Sequence, residues 1–531
     1  MAKFFLPLVF FISFYLPLYG LEDRYQEQAF VSPQVIAELG GVEAVKEEFR
    51  KIALHHKAAS GFPAKVLQEV EGLKLSFDGL TDLTQLAFIT IDNDHSKDLD
   101  QAMNIEKVES GYRIHYAIAD AAFFVKRGSN LDAWASKQVF TTYLPGFDLP
   151  VLPRILSEDL CSLKAGENRR GIVVSFTVTF SGELIDLQFD HAVIRSRRQL
   201  SYRLVQEYYD EPQFSDYAGK EYSPTLDHLK DVGEILLTFA HERGVVDGFD
   251  SELRVCVDDN EIMIGNYIRH RVERYNEQVS VMTNSLVADF IASKGKRSIH
   301  RYHQEPDSYV LDKLRNRLAT LGFTWSPAEK LNDFVVGLDF TTPEGKAANM
   351  QVSRANYRAV YIDLKAGHSG LKLAHYDHFT APMRRYPDIV VARILLSIIK
   401  GQKNNGFQEI NGSKRLEIIK KIEAAAKREA AIEHDIEGCI SSLLLRDKLG
   451  QKLKAQVLYV NKQGASLHIQ GHPPEIWLSL ADLKSFSADG NFQLSSDGMS
   501  LVSDSTKLSV LDWLSVHPAR KEGESLKVIL H

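Results

Sequence analysis

The run Thr90-Ile91-Asp92-Asn93-Asp94-His95-Ser96-Lys97-Asp98-Leu99-Asp100-Gln101 constrains this chain more than any other segment. It sets four aspartates within nine residues, directly after Leu86-Ala87-Phe88-Ile89, an apolar stretch that reads as the end of a strand. Carboxylates packed this closely repel one another. A hard cation between them relieves the repulsion, so the pattern points to Mg²⁺, with Mn²⁺ as the other candidate. Taken alone, the run also reads as a solvated acidic turn, and the partners further along the chain decide between the two.

With 531 residues the chain is too long for one simple core, and about two to four domains are expected. Hydrophobic residues make up 44% and charged residues 25%, as in an ordinary globular protein. The net charge of −7 provides no global basic field for nucleic acid, although a local basic channel is sufficient for that purpose. Cys161, Cys256 and Cys439 lie far apart and form neither a CxxC pair nor a zinc spacing. They read as free thiols of a reducing compartment. The N-terminus points elsewhere: Lys3 precedes an uncharged run from Phe4 to Tyr19 that looks like a secretory signal. Residues 1–20 are therefore set apart as a signal-like segment. The expected location is the cytoplasm, with export or a membrane tether through residues 4–19 as the alternatives.

The remainder divides into three stretches. Residues 21–80 read as mainly helical, with Ser32-Pro33 able to cap and start a helix and Val42 to His55 apolar at helical spacing. Residues 81–448 are mixed. Strand signals lie at Tyr112 to Ala119, and at Ile172 to Phe180 and Glu183 to Ile194, the last two joined by Ser181-Gly182 as a hairpin. Helix signals lie at Asn276 to Ser293 and Ser413 to Asp447, and residues 401–413 read as a loop. Residues 450–531 return to short strands, such as Lys454 to Val460 and Ala465 to Ile469, in the manner of a small β-barrel.

Four blocks, in order, resemble the ribonuclease II/ribonuclease R (RNB) family of exoribonucleases. The first is the aspartate run, similar to the family's Thr-Ile-Asp, five residues, Asp-x-Asp-Asp-Ala. The second is Tyr143-Leu-Pro to Pro153, continuing through Leu156-Ser-Glu-Asp-Leu-Cys-Ser-Leu163. The third is His368-Ser-Gly-Leu371 with His378-Phe-Thr-Ala-Pro-Met-Arg-Arg-Tyr-Pro-Asp388. The fourth and weakest is Ile194-Arg-Ser-Arg-Arg-Gln-Leu-Ser-Tyr202. The resemblance implies an α+β protein. A large mixed RNB-type catalytic domain would span 81–448, a small C-terminal OB-fold barrel 450–531, and a short helical leader 21–80. It looks like a shortened member without the family's N-terminal cold-shock domains.

The implied activity is metal-dependent 3′-to-5′ hydrolysis of single-stranded RNA to nucleoside 5′-monophosphates. A monomer with no obligate protein partner is the family-like expectation. Asp92, Asp98 and Asp100 match three metal-site aspartates, and Asp100 and Arg384 are the catalytic candidates. The fourth metal position holds Gln101, which can offer only a neutral carbonyl oxygen. This departure supports a rival reading, a catalytically weakened or inactive RNA-binding relative. Asp94 is an extra carboxylate off the family's spacing. Arg384 matches the arginine on the scissile phosphate, where a guanidinium can fork onto two oxygens; alone, it would read as a surface ion pair. Tyr143 matches a tyrosine that positions the RNA 3′ end, against a core-packing role beside Pro145. Glu433 matches a glutamate near the terminal nucleotide, against a helix-surface charge. Arg385 and the Arg195, Arg197, Arg198 patch are weaker RNA-binding candidates, Arg197 being the one selected from the patch. His368 and His378 lack a third ligand at useful spacing and read as packing or supporting residues rather than metal ligands.

Overall fold

The computed structural model describes residues 25–246, 251–402, 412–486, 491–520 and 528–530. The signal-like run 4–19 and most of the expected loop 401–413 lie outside these residues.

The largest core forms around a sheet that closes on itself. Strand Phe88–Asp92 pairs with Gln101–Val108, which pairs with Gly111–Ala119, then Asn168–Thr179, then Leu184–Ser201. The last strand is 18 residues long and serves twice. Its first part is antiparallel to Asn168–Thr179, and its end, from Ser196 to Ser201, is parallel to Phe88–Asp92. The expected hairpin is therefore present, and its second arm runs on to close the ring. The buried residues of these strands are largely β-branched and aromatic, among them Phe88, Ile89, Ile114, Ile118, Ile172, Val174, Phe176 and Ile194, the residue types that pack well on a pleated surface. The ring is weakest between Phe88–Asp92 and Gln101–Val108, which share only the pair Ile89 and Met103. The two strands splay there, and the aspartate loop occupies the gap.

Helices cover this sheet. Ser223–Arg243 lies on Gln101–Val108 and packs against Arg271–Ser293. Gly233 makes that crossing close, since a Cβ there would fall 2.1 Å from the Tyr275 ring. Helix Gly412–Leu445, 34 residues long, joins two cores. Ile419, Ile422 and Ala425 face the sheet core, while Ile432, Ile436 and Ile440 face a second core built from the N-terminal helices.

The leader is mainly helical, with one strand added. Its helices are present at Pro33–Glu38, Val42–His55 and Ala64–Glu71, with Ser32 capping the first through Val35 N. Tyr25–Phe30, however, is a strand on the edge of the hairpin Ser251–Val257 and Ile262–Ile268. Its partner is more than two hundred residues away in sequence, so no local pattern announces it. A further core joins helices Ser308–Thr320 and Pro343–Ala355 to the C-terminal strands. There Leu453–Asn461, Gly464–Ile469, His472–Ser479 and Trp513–Val516 form an antiparallel sheet with OB-like character.

Candidate active site

Asp92 ends its strand beside Ser201. The chain then folds around it: Asp92 Oδ1 accepts from Asn93 N at 2.7 Å and from Ser96 Oγ at 3.0 Å. The far side of the loop is stapled by the second block. Ser162 Oγ donates to the Lys97 carbonyl at 2.6 Å and accepts from Leu99 N at 3.1 Å. Leu163 N donates to the Leu99 carbonyl at 3.0 Å. Leu99 is buried between Asp98 and Asp100, and Asp100 is itself buried.

The third block closes over this loop. Asp100 Oδ1 accepts from Met383 N at 2.9 Å, and its Oδ2 lies 3.7 Å from Arg384 Nε. Thr141 N donates to the Arg384 carbonyl at 3.0 Å and Tyr386 N to the Val139 carbonyl at 2.8 Å. The segment before Tyr143 is thus clamped to the segment carrying Arg384. Tyr143 stands on the short hairpin Thr142–Leu144 and Phe147–Leu149, which turns at Gly146 with φ of +84°.

The electrostatics follow from burial. Asp98 is pushed up to about 6, by removal from water first and by repulsion from Asp92 second. Burial likewise raises Asp92 and, further, Asp100, with Arg384 opposing in both. For Arg384, burial works against the charge, but Tyr143, Asp100, Asp92 and Asp98 together hold it above the ordinary arginine range. Burial, then Asp98, raises the Tyr143 phenol. Three mutually repelling carboxylates, a retained positive charge and a phenol thus share one poorly hydrated pocket. Among the described residues, no three His, Cys, Asp or Glu side chains close on a single point as a finished metal cage. The donor chemistry of Asp92, Asp98 and Asp100 nonetheless suits a hard cation, because desolvated carboxylates in mutual repulsion gain most from one.

Gln101, the fourth expected metal position, has its amide engaged by other partners. Its Nε2 donates to the Thr380 carbonyl at 2.7 Å, and its Oε1 accepts from Tyr116 OH at 2.7 Å. Both ends of the amide are taken, and Tyr116 in turn meets Ser280 at 2.8 Å. Asp94 also turns away, to Arg203 at 3.3 Å.

The RNA-binding candidates separate. Glu433 lies on the long helix with Oε1 buried and unpartnered. Burial, then Glu437 and Glu429, pushes it up to about 9. The same helix reaches the Tyr143 hairpin through Glu429 to Thr142, and the helix before that hairpin through Arg428 to the Gln138 carbonyl at 2.7 Å. Arg385 is committed inward, forking onto Asp388 at 2.8 and 3.0 Å. Arg197 is not brought to the carboxylates; its guanidinium bonds the Thr84 carbonyl at 2.9 Å and lies 3.2 Å from Glu221. Arg385 is taken by Asp388, three residues on in the same block, whereas the Thr84 carbonyl reaches Arg197 from more than a hundred residues away. His378 meets Tyr361 OH at 2.6 Å, and His368 stacks on His303 at 5.1 Å. Burial holds both imidazoles neutral, His368 down at about 3.

Sequence reasoning missed Tyr116, Thr380, Ser162 and Asp388. Thr380, Ser162 and Asp388 lie inside the quoted blocks, which is the only signal that could have found them.

A family model described as the RNB domain matches residues 80–401, more than half of the chain. Ribonuclease R of Thermotoga maritima is 29% identical over 380 residues, 68% of this chain and 53% of its own. This chain therefore spans about half the length of the curated relatives it matches. Among solved structures, Mycoplasma genitalium RNase R in complex with ribose-methylated single-stranded RNA superposes with a TM-score of 0.81 at 21% identity, over 93% of this chain and 78% of that one. Yeast Ssd1, described as a pseudonuclease, superposes with a TM-score of 0.62 at 18% identity, over 84% of this chain and 57% of that one.

Proposed function

The chain belongs to the RNB family, and from that premise we propose that it is a 3′-to-5′ exoribonuclease that hydrolyses single-stranded RNA to nucleoside 5′-monophosphates. The observation that carries this reading is Asp100, which accepts from the backbone of Met383 and faces Arg384. One residue thereby ties the carboxylate cluster to the guanidinium that would grip a phosphate.

In this reading Arg384 forks onto the scissile phosphate and stays charged as negative charge builds on its oxygens. Tyr143 packs against the terminal nucleoside, and Glu433 accepts from a ribose hydroxyl. Asp92, Asp98 and Asp100 would hold Mg²⁺, or Mn²⁺, which when bound supplies a nucleophilic water and neutralises phosphate charge. The residues from 450 onward would add an RNA-binding barrel. RNA as substrate favours a cytoplasmic location. No helix among the described residues is long and apolar enough to cross a membrane.

The alternative, an RNA-binding protein with a weakened site, is favoured by one observation, the full engagement of the Gln101 amide away from the aspartates. One experiment separates the two. A 5′-labelled single-stranded RNA is incubated with Mg²⁺, with Mn²⁺ and with EDTA, beside Asp100→Asn. A metal-dependent ladder that collapses to a short end product and is lost in Asp100→Asn supports the exoribonuclease. Binding with no cleavage in either metal overturns it in favour of the alternative.

A further inference from the structure

Arg301 is a guanidinium without an anion. It is only 7% exposed, and its Nη1 is buried with no hydrogen-bond partner. It lies on strand His300–Tyr302 opposite Tyr361, with its charge 4.6 Å above the Tyr361 ring. Arg358 sits just before the partner strand Val360–Ile362 and is half-buried. Neither guanidinium has a carboxylate at ion-pair distance among the described residues. The obvious candidate, Glu423, gives its Oε1 to Tyr361 N at 2.6 Å.

The strand pairing places the two arginines near one another: Tyr302, next to Arg301, is paired with Val360, two residues after Arg358. Burial lowers Arg358, and Arg301 lowers it further, while Glu423 and Glu433 act the other way. Like charges held together out of water are costly unless an anion joins them. The pair also lies next to the site already described. The Phe140 ring is 6.3 Å from Tyr361, and Phe140 bridges to Arg385, the neighbour of Arg384. Tyr361 itself bonds His378 of the third block.

We infer that Arg301 and Arg358 form a second phosphate subsite, one that takes a phosphodiester of the RNA backbone away from the scissile phosphate held by Arg384. The inference rests on the reading of the site as one that receives RNA. Tyr361 fixes the Arg301 guanidinium in place, so the subsite is preformed and binding loses little side-chain entropy.

The test measures binding, separately from cleavage. Full-length wild type, Arg301→Gln and Arg358→Gln are titrated with labelled single-stranded RNA in EDTA over a range of salt. Each variant is expected to bind about tenfold more weakly, the loss of one charged hydrogen-bonded contact. The slope of log affinity against log salt should flatten by about 0.7 for each lost phosphate. A neutral methylphosphonate placed at successive positions should weaken wild type at one position and leave the variants unmoved there. Arg301→Lys should keep the salt slope while losing affinity. Unchanged affinity and slope in both variants overturn the inference, whether or not wild type cleaves RNA. Should Arg301→Gln unfold by circular dichroism, the half-buried Arg358 variant decides alone. Cleavage by wild type in Mg²⁺ reports on the exoribonuclease reading independently.

Discussion

The Gln101 amide nitrogen donates to the Thr380 carbonyl at 2.7 Å. This bond joins the strand that follows the aspartates to the segment that carries Arg384. The residue departs from the family's aspartate, yet it is used fully, as a structural tie. Gln101→Asp replaces the donor with an acceptor facing a carbonyl. The expected result is no gain in cleavage rate and a loss of about 1–3 kcal/mol of stability, read by denaturant unfolding without metal. A rate increase would show instead that the native site lacks a ligand.

Arg384 approaches Asp100 at 3.7 Å and opposes the repulsion among the three aspartates, so a substitution that keeps the charge should leave the fold intact. Arg384→Lys keeps a charge and loses the fork. Turnover should fall about a hundredfold with little change in melting temperature. Matched losses of activity and stability would assign Arg384 to structure.

Glu433 gives a pH prediction with a definite sign. Its folded pKa, about 9, lies above the unfolded value, so the folded protein retains a proton that the unfolded chain releases. Its contribution to stability is present below the ordinary glutamate range and is lost as pH rises toward 9. Glu433→Gln should therefore melt higher than wild type near about pH 8, with the difference shrinking toward about pH 4. A gap that stays constant across this range would sink the argument.

Gly146 turns the Tyr143 hairpin at φ +84°, and a Cβ there would lie 2.8 Å from Lys46 Cε and 3.3 Å from Val257 Cβ. Gly146→Ala should cost about 1–2 kcal/mol from the left-handed backbone alone. By displacing Tyr143 it should raise KM for RNA more than it lowers kcat, as steady-state kinetics would show.

Ser162 holds both sides of the aspartate loop through Lys97 and Leu99. Ser162→Ala should raise the Mg²⁺ concentration needed for half-maximal cleavage, because Asp98 and Asp100 are then placed less firmly. An unchanged metal titration would show that the loop holds its form without the staple.

Much of the architecture was legible because its signals are local. Val42–His55 matches its apolar spacing, and Asn168–Thr179 with Leu184–Ser201 follows from alternation around Ser181-Gly182. Strand Tyr25–Phe30 was not legible, since it exists only by pairing with Ile262–Ile268. The engagement of Arg197 was hidden for the same reason, whereas Asp388 lies only three residues from Arg385. A charged side chain's sequence neighbours do not reveal that a carbonyl more than a hundred residues away, here that of Thr84, will claim it.

The sequence by itself determined the family, the order of the blocks and the identity of the charges that meet: three aspartates, one arginine and one tyrosine. These are matters of residue type and spacing. Only the tertiary structure decided how each group is used. The splayed strands at Asp92 and Gln101 bring segments nearly three hundred residues apart within hydrogen-bond reach. Desolvation there raises the aspartates, and burial elsewhere leaves Arg301 Nη1 without a hydrogen-bond partner. Both effects depend on distance and exclusion of water, quantities that exist only once the chain has closed on itself.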